Sequence, residues 1–144
     1  MPQIKIQILR YYVNKSSQCY FDPISYRCYI HNPRSHWNPN PRHLLALPHS
    51  QPLELYEKFI FQLPSSETSR HLRHIFTENA PHSSEAAQLE FLRKFDWFMS
   101  SNALWYVYGQ WYRNETRKAA IEWCEHNQIN YIDLETSEEI GLLP

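Results

Sequence analysis

The residues best placed for chemistry lie where a predicted strand ends and a predicted helix begins. An apolar and aromatic run over residues 103–108 predicts a strand buried on both faces, with Gly109 ending it and Asn114 capping the next helix. Ligands of open α/β sheets bind at the carboxyl ends of strands, and helix starts attract anions. The stretch therefore predicts a ligand site, and an ordinary strand-to-helix loop is the alternative. Its candidate residues are Tyr108, Gly109, Gln110, Trp111, Tyr112, Arg113, Asn114 and Glu115.

A second group of candidates lies earlier in the chain, where residues 23–53 contain no Asp or Glu. Cationic side chains interleaved with aromatic rings suit phosphates and stacked bases. This basic–aromatic patch predicts contact with a nucleotide or a nucleic acid. A solvated loop is the alternative, since the arginines are few. The members of the patch are Arg27, His31, Arg34, His36, Trp37, Arg42 and His43.

Zinc ligand types occur in the same region, at Cys19, Cys28, His31 and His36. Zinc accepts two Cys and two His, but structural sites usually bring their ligands in close pairs, and Cys19 is far from Cys28 along the chain. We expect the two cysteines instead to face each other across a hairpin as small apolar residues. The sequence therefore predicts no metal and no cofactor.

No complete catalytic set stands out, so the sequence leaves open whether the chain is an enzyme. Cys124 is predicted on the inward face of a helix, as a core residue. His71 and His74 share a helix face and are expected at the surface. With only two glycines in the chain, neither a GxGxxG motif nor a Walker loop is present.

Length and composition predict a single soluble domain over residues 1–144. This is the usual size of one domain, and a hydrophobic content of 42% with 15% aromatics supplies a core. A net charge of −1 excludes a strongly basic or strongly acidic chain as a whole. Without a signal-peptide pattern or a long apolar run, we expect a cytoplasmic protein that does not contact membranes.

The first third of the chain is predicted to be extended. Alternating apolar and polar residues over 3–13 predict an edge strand, and residues 18–30 predict two strands around a turn. The Pro-rich residues 31–52 predict a long loop with a short strand near Leu44–Leu47.

Three helices are predicted next, from Pro52 to Gln62, over residues 66–78, and from a cap at Ser83 or Ser84 to Met99. The apolar residues of the third helix recur at helical spacing and include Leu89, Leu92, Phe95 and Met99.

The last part of the chain sets the predicted fold class. A helix from Asn114 to about His126 and a strand over 129–134 complete, with the strand over 103–108, a βαβ crossover with parallel strands. The prediction is a small three-layer, Rossmann-like α/β domain with at least one parallel βαβ unit and an N-terminal β-hairpin region. Residues 135–144 are expected to form a loose tail.

Residues 100–134 resemble the last βαβ unit of nucleoside 2-deoxyribosyltransferase-like proteins and related Rossmann-like nucleotide-binding proteins. This resemblance covers about a quarter of the chain. The catalytic Glu of that family falls near Ala119, so the resemblance implies a fold and a nucleotide-shaped cleft but no catalytic residue. The matching residues are Asn102, Leu104, Trp105, Val107 and Gly109, then Ala119, Ala120, Asn127 and Ile129.

The leading functional hypothesis is a non-enzymatic binding or accessory protein that recognises a partner protein or a nucleotide-like ligand. Its basis is the missing catalytic set and the abundance of Trp, Tyr and Arg, which suit interface hot spots. A partner-binding role predicts that Trp37 or Trp111 is exposed. A nucleoside- or nucleotide-processing enzyme of the deoxyribosyltransferase-like type is one alternative, and an accessory nucleic-acid-binding protein is another.

Overall fold

The computed structural model describes residues 1–31 and 43–134. These residues fall into two compact units, the first from the described parts of Met1–Gln51 and Gln110–Pro144, and the second from Pro52–Gly109. The strands are β1 (Ile4–Lys5), β2 (Cys19–Asp22), β3 (Arg27–Ile30), β4 (Leu45–Ala46) and β5 (Tyr131–Ile132). The helices are α1 (Ile6–Tyr12), α2 (Pro52–Gln62), α3 (Glu67–Asn79), α4 (Glu85–Ser101) and α5 (Trp105–Asn127).

The first unit contains two small sheets. β1 and β5 pair in parallel, whereas β2 lies between β3 and β4 and is antiparallel to both. The predicted hairpin and the short strand near Leu44–Leu47 are therefore confirmed, as is a mixed α/β composition. The three-layer, Rossmann-like arrangement stays a prediction, and so does a single domain. Most of the predicted Pro-rich loop and the predicted tail lie outside the described residues.

The turn of the hairpin is held by Asp22. Its Oδ1 accepts a hydrogen bond of 2.8 Å from the Ile24 N–H, and its Oδ2 accepts one of 2.9 Å from the Ser25 hydroxyl. Tyr26 closes the turn with φ at 55°. An Asp side chain that binds the backbone two residues ahead is a common device for starting a turn, which is why Asp22-Pro23 separates the two strands.

The N-terminal strand predicted over residues 3–13 is wrong beyond Lys5, because the chain becomes helical at Ile6. Ile6, Leu9 and Val13 are fully buried at helical spacing, whereas Ile8 is 51% exposed. A strand would have placed Ile6 and Ile8 on the same face. Alternating and helical patterns overlap in so short an apolar segment, and burial in the core decides between them.

The buried strand predicted over residues 103–108 is also wrong, since α5 begins at Trp105. Trp105 and Tyr108 lie one turn apart on α5, and their rings contact Tyr56 with centroids 6.0 and 5.4 Å away. This packing at helical spacing outweighs the strand preference of aromatic residues.

Two consequences follow for the predicted βαβ unit. Gly109 and Asn114 lie inside α5 instead of ending a strand and capping a helix. The crossover over residues 103–134 is therefore absent. A parallel pair does exist, but β5 pairs with β1, which comes from the opposite end of the chain.

The second unit consists mainly of α2, α3 and α4, and all three predicted helices are confirmed. Ser66 begins α3 in a reciprocal cap with Ser69, and Ser84 begins α4 by accepting a hydrogen bond of 3.0 Å from the Ala87 N–H. Leu89 is an exception to the predicted apolar face, because it is 68% exposed. The buried side chains of these helices include Phe59, Ile60, Leu72, Phe91, Phe95 and Met99.

Replacing Gly109 with Ala should stabilise the protein, because Gly109 is an exposed residue within α5 and an added Cβ would meet no atom within 4 Å. Alanine in a helix interior is favoured over glycine by about 0.5–1 kcal/mol. Gly109→Pro is the opposing variant and should destabilise the fold by about 3 kcal/mol. Urea unfolding measures both changes. A destabilised Gly109→Ala variant would contradict a helix at this position.

Candidate functional site

The first predicted site is spread along α5 and forms no loop. Because Asn114 is interior to the helix, the backbone amides around it are used within the helix and do not offer an anion site. Tyr108 packs edge-on against Phe59, with ring centroids 5.2 Å apart. Trp111 is only 6% exposed, so it is not the exposed Trp that a partner-binding role predicts, and Trp37, the other candidate, lies outside the described residues. Gln110, Asn114 and Glu115 are half-buried, and Gly109 and Arg113 are exposed.

The structure describes three members of the basic–aromatic patch. Arg27 is exposed on β3, directly opposite Asp22 in the antiparallel register. His43 Nε2 lies 2.8 Å from Asp22 Oδ1, and the ring of His31 contacts Tyr20 edge-on at 6.4 Å. Asp22 therefore offsets part of the positive charge expected here. The other members, Arg34, His36, Trp37 and Arg42, lie outside the described residues.

A more concentrated group of cations lines a cleft between α1 and α5 in the first unit. This basic cleft has a volume of about 220 Å³. Three of the described residues that line it are Arg or Lys and none is acidic, so it offers a positive environment to an anion. The lining residues are Gln7, Arg10, Tyr11, Lys15, Tyr112, Arg113 and Thr116.

Lys15 is held in place at the edge of the basic cleft. Its backbone oxygen accepts a hydrogen bond of 3.0 Å from the Ser50 N–H, and the Asn14 N–H donates to Pro48 O at 2.9 Å. The Lys15 ammonium lies over the ring of Tyr11, 4.2 Å from its centroid. The backbone bonds fix where the side chain starts, and the cation–π contact restricts where its charge lies.

Two uncharged groups add hydrogen-bonding capacity to the cleft. Gln7 Oε1 is buried and has no hydrogen-bond partner among the described residues. The Thr116 hydroxyl contacts the backbone oxygens of Tyr112 at 2.9 Å and Arg113 at 3.1 Å, so its proton is committed to α5. The basic cleft therefore combines cationic donors with an acceptor for which the described part of the chain supplies no partner.

Among these residues, the sequence predictions identified Arg113 and the adjacent Tyr112 as site residues. The spacing that could have revealed the others is helical, since Gln7, Arg10 and Tyr11 occupy one face of α1. An extended reading of residues 3–13 places Gln7 and Arg10 on opposite faces. Because residues 6–12 were predicted as a strand and not as a helix, the sequence analysis did not predict the cleft.

A larger cleft of about 400 Å³ lies among β1, α1 and β3, with Cys28 in its wall. Burial, reinforced by the neighbouring Cys19 and Cys124, raises the pKa of the Cys28 thiol to about 12. Burial likewise raises the pKa of Cys124 to about 11. All three thiols are free. A thiol that stays protonated at neutral pH is a poor nucleophile and a poor metal ligand.

The cysteines do not lie directly opposite each other on the hairpin, because Cys19 pairs with Ile30 and Cys28 pairs with Phe21. Cys19 and Cys28 are instead diagonal neighbours on one face of the hairpin. Within residues 1–31 and 43–134, no group of three or more His, Cys, Asp or Glu is arranged to hold a metal ion. His36, the remaining candidate zinc ligand, is not among these residues.

The chain matches no protein-family model, no curated protein and no solved structure. The resemblance of residues 100–134 to deoxyribosyltransferase-like proteins therefore stays a prediction. In the described part of the chain, no helix has both the length and the apolar character required to cross a membrane.

Acidification should destabilise the hairpin through Asp22. Burial alone would raise its pKa, but hydrogen bonds from Ile24, Ser25 and His43 hold the pKa below its ordinary value of 3.8. Such a carboxylate stabilises the fold above its unfolded pKa, and the contribution is lost as the pH falls through the folded pKa. Between neutral pH and about pH 2, the free energy of unfolding should therefore fall less in the Asp22→Asn variant than in the wild type.

Urea titrations at a series of pH values measure this difference. Asp96→Asn, at an exposed position on α4, is the matched control and should retain the acid sensitivity of the wild type. Equal acid sensitivity of the Asp22→Asn variant and the wild type would contradict the role given to Asp22.

The cysteines should react slowly with iodoacetamide while the protein is folded. A rise in the pKa of Cys28 from 9.0 to about 12 lowers its thiolate fraction at neutral pH about a thousandfold, and alkylation proceeds through the thiolate. Mass spectrometry of timed samples measures the rate, and urea-unfolded protein is the control in which all three thiols react readily. Rapid labelling of Cys28 in the folded chain would contradict its burial.

Proposed function

We propose that this chain is a non-enzymatic binding protein whose basic cleft holds a phosphate-bearing, nucleotide-like ligand. The observation that carries the proposal is the convergence of Arg10, Lys15 and Arg113 on one cleft with no acidic residue among its described lining. Guanidinium groups bind phosphate through paired, charge-assisted hydrogen bonds, and an ammonium adds a point charge. The function proposed is recognition, with the phosphate as the primary determinant.

The size of the cleft limits which part of the ligand is enclosed. Its volume of about 220 Å³ is below the roughly 300–1,000 Å³ typical of pockets that enclose a whole small molecule. The phosphate and part of a sugar therefore occupy the cleft, and a base extends beyond it. Gln7 Oε1 is the acceptor for a hydroxyl or amino group next to the phosphate.

A binding role fits the described lining better than catalysis does. The uncharged members are two tyrosines, a glutamine and a threonine whose hydroxyl proton is committed to α5. Burial raises the pKa of Tyr112, which keeps its hydroxyl protonated. General-base catalysis requires a group that accepts a proton near neutral pH. Within this lining, the side chains are suited to hold an anion and not to transform it.

Isothermal titration calorimetry tests the proposal with AMP, ATP, adenosine and pyrophosphate as probes. AMP and ATP should bind, and adenosine should not. Lys15→Gln should weaken AMP binding about tenfold or more, since one charge-assisted hydrogen bond contributes about 1.5–3 kcal/mol. Raising the salt concentration should also weaken the binding of AMP to the wild type, because salt screens charges in a cleft that is open to solvent.

Lys118→Gln is the matched control, because Lys118 is an exposed lysine of α5 that does not line the cleft. Its affinity for AMP should equal that of the wild type. Equal losses in the two variants would show a general charge effect and contradict the cleft assignment. Equal binding of adenosine and AMP would contradict recognition of the phosphate.

A further inference from the structure

The second unit carries a groove between α3 and α4, and this groove differs from the basic cleft in having an apolar floor. The groove has a volume of about 300 Å³. Its floor is apolar, since Ile75 and Phe98 are each 8% exposed. The remaining lining residues are His71, Arg93, Lys94 and Trp97.

Trp97 is the most unusual residue of this groove, because its side chain is 68% exposed. Leu89 is equally exposed on the same helix, and Arg93 lies midway between them, so the three form a stripe along one face of α4. Single exposed apolar residues are common, but an exposed Trp beside an apolar groove is typical of a protein interface. Trp97 therefore has the exposure that a partner-binding role predicted for Trp37 or Trp111.

The rim of the groove carries two cations that share one carboxylate, because Glu90 Oε1 also lies 3.7 Å from Lys94 Nζ, which leaves a net positive charge. Arg93 pairs with Glu90 on its own helix at 2.6 Å, and Lys94 Nζ donates to Asn79 Oδ1 on α3 at 3.1 Å. These contacts hold both cations along the groove instead of leaving them mobile. None of the described lining residues is acidic.

His71 completes the wall on the α3 side. Its ring stacks on Phe98 with centroids 4.4 Å apart and an interplanar angle of 22°. A flat ring stacked on the apolar floor presents an additional donor at the edge of the groove. A ligand that fits must therefore combine an apolar group for the floor with carboxylates for the rim.

We propose that the groove between α3 and α4 docks a short segment of a partner protein that carries an aromatic or aliphatic anchor flanked by Asp or Glu. The anchor packs between Trp97 and the floor of Ile75 and Phe98, and the carboxylates face Arg93 and Lys94. Charge complementarity selects this occupant over a purely apolar segment. The proposal is independent of the basic cleft, which lies in the first unit.

Phage-displayed random peptides, selected on the full chain, are the probe. Enriched peptides should share an apolar anchor next to acidic residues. For such a peptide, fluorescence anisotropy should show binding weakened about tenfold or more by Trp97→Ala, as for a central hot spot. Arg93→Gln should weaken binding and reduce its dependence on salt. Circular dichroism confirms that each variant is folded.

Two matched controls lie in the same unit and outside the groove. Tyr106→Ala removes a ring that is 72% exposed, and Arg70→Gln removes an exposed cation of α3. Both should bind the peptide as the wild type does. Peptides without acidic residues, no enrichment, or equal losses in the control variants would overturn the proposal. So would sedimentation that shows a dimer lost in Trp97→Ala, because the groove would then be covered by a second copy.

Discussion

The buried inner face of α5, which includes Ala120, Trp123 and Cys124, holds this helix in the first unit, and Trp123 adds a directed contact. Trp123 Nε1 donates to the backbone oxygen of Ala46 at 3.0 Å, and its ring packs edge-on against Phe21 with centroids 5.4 Å apart. One side chain therefore fastens α5 to both β2 and β4. Buried Tyr and Trp side chains are stable when their polar atom has a partner, and here the partner is an edge strand. With α5 fixed in this way, Arg113 and Thr116 face α1 across the basic cleft.

A second constraint is the scarcity of glycine, which forces other residues into left-handed backbone conformations. Ala103 follows α4 with φ at 53°, and the Leu104 N–H donates to Met99 O at 2.9 Å. Gln128 adopts the same left-handed conformation after α5, with φ at 57°, and the Ile129 N–H donates to Cys124 O at 2.9 Å. Each costs about 1 kcal/mol or more relative to glycine, and the helix-ending hydrogen bonds and the packing that follows offset this. Ile129 is buried directly after the second of these turns, which leads the chain into β5.

What the sequence predicted correctly has local causes. Ser84 and the Asp22 turn act through neighbouring residues, so α4 and the hairpin could be read from short patterns. What it predicted wrongly was decided by distant contacts. The run over residues 103–108 favours a strand by composition, yet Tyr56, from a different helix, selects the helical form by packing against Trp105 and Tyr108. The pairing of β1 with β5 joins chain ends that no local pattern connects.

The same cause explains why the candidate site was predicted only at Tyr112 and Arg113. The chemistry of the site was predictable in outline, as cations beside rings, but the cleft requires α1 to be a helix and α5 to start early. Once both helices exist, Gln7 Oε1 is a buried acceptor that has no hydrogen-bond partner among the described residues. A bare phosphate at neutral pH offers Gln7 little, since its oxygens are mainly acceptors. In the function we propose, a hydroxyl or amino group beside the phosphate donates to Gln7 while Arg10 and Lys15 hold the charge, so the proposal favours a sugar phosphate over an inorganic anion.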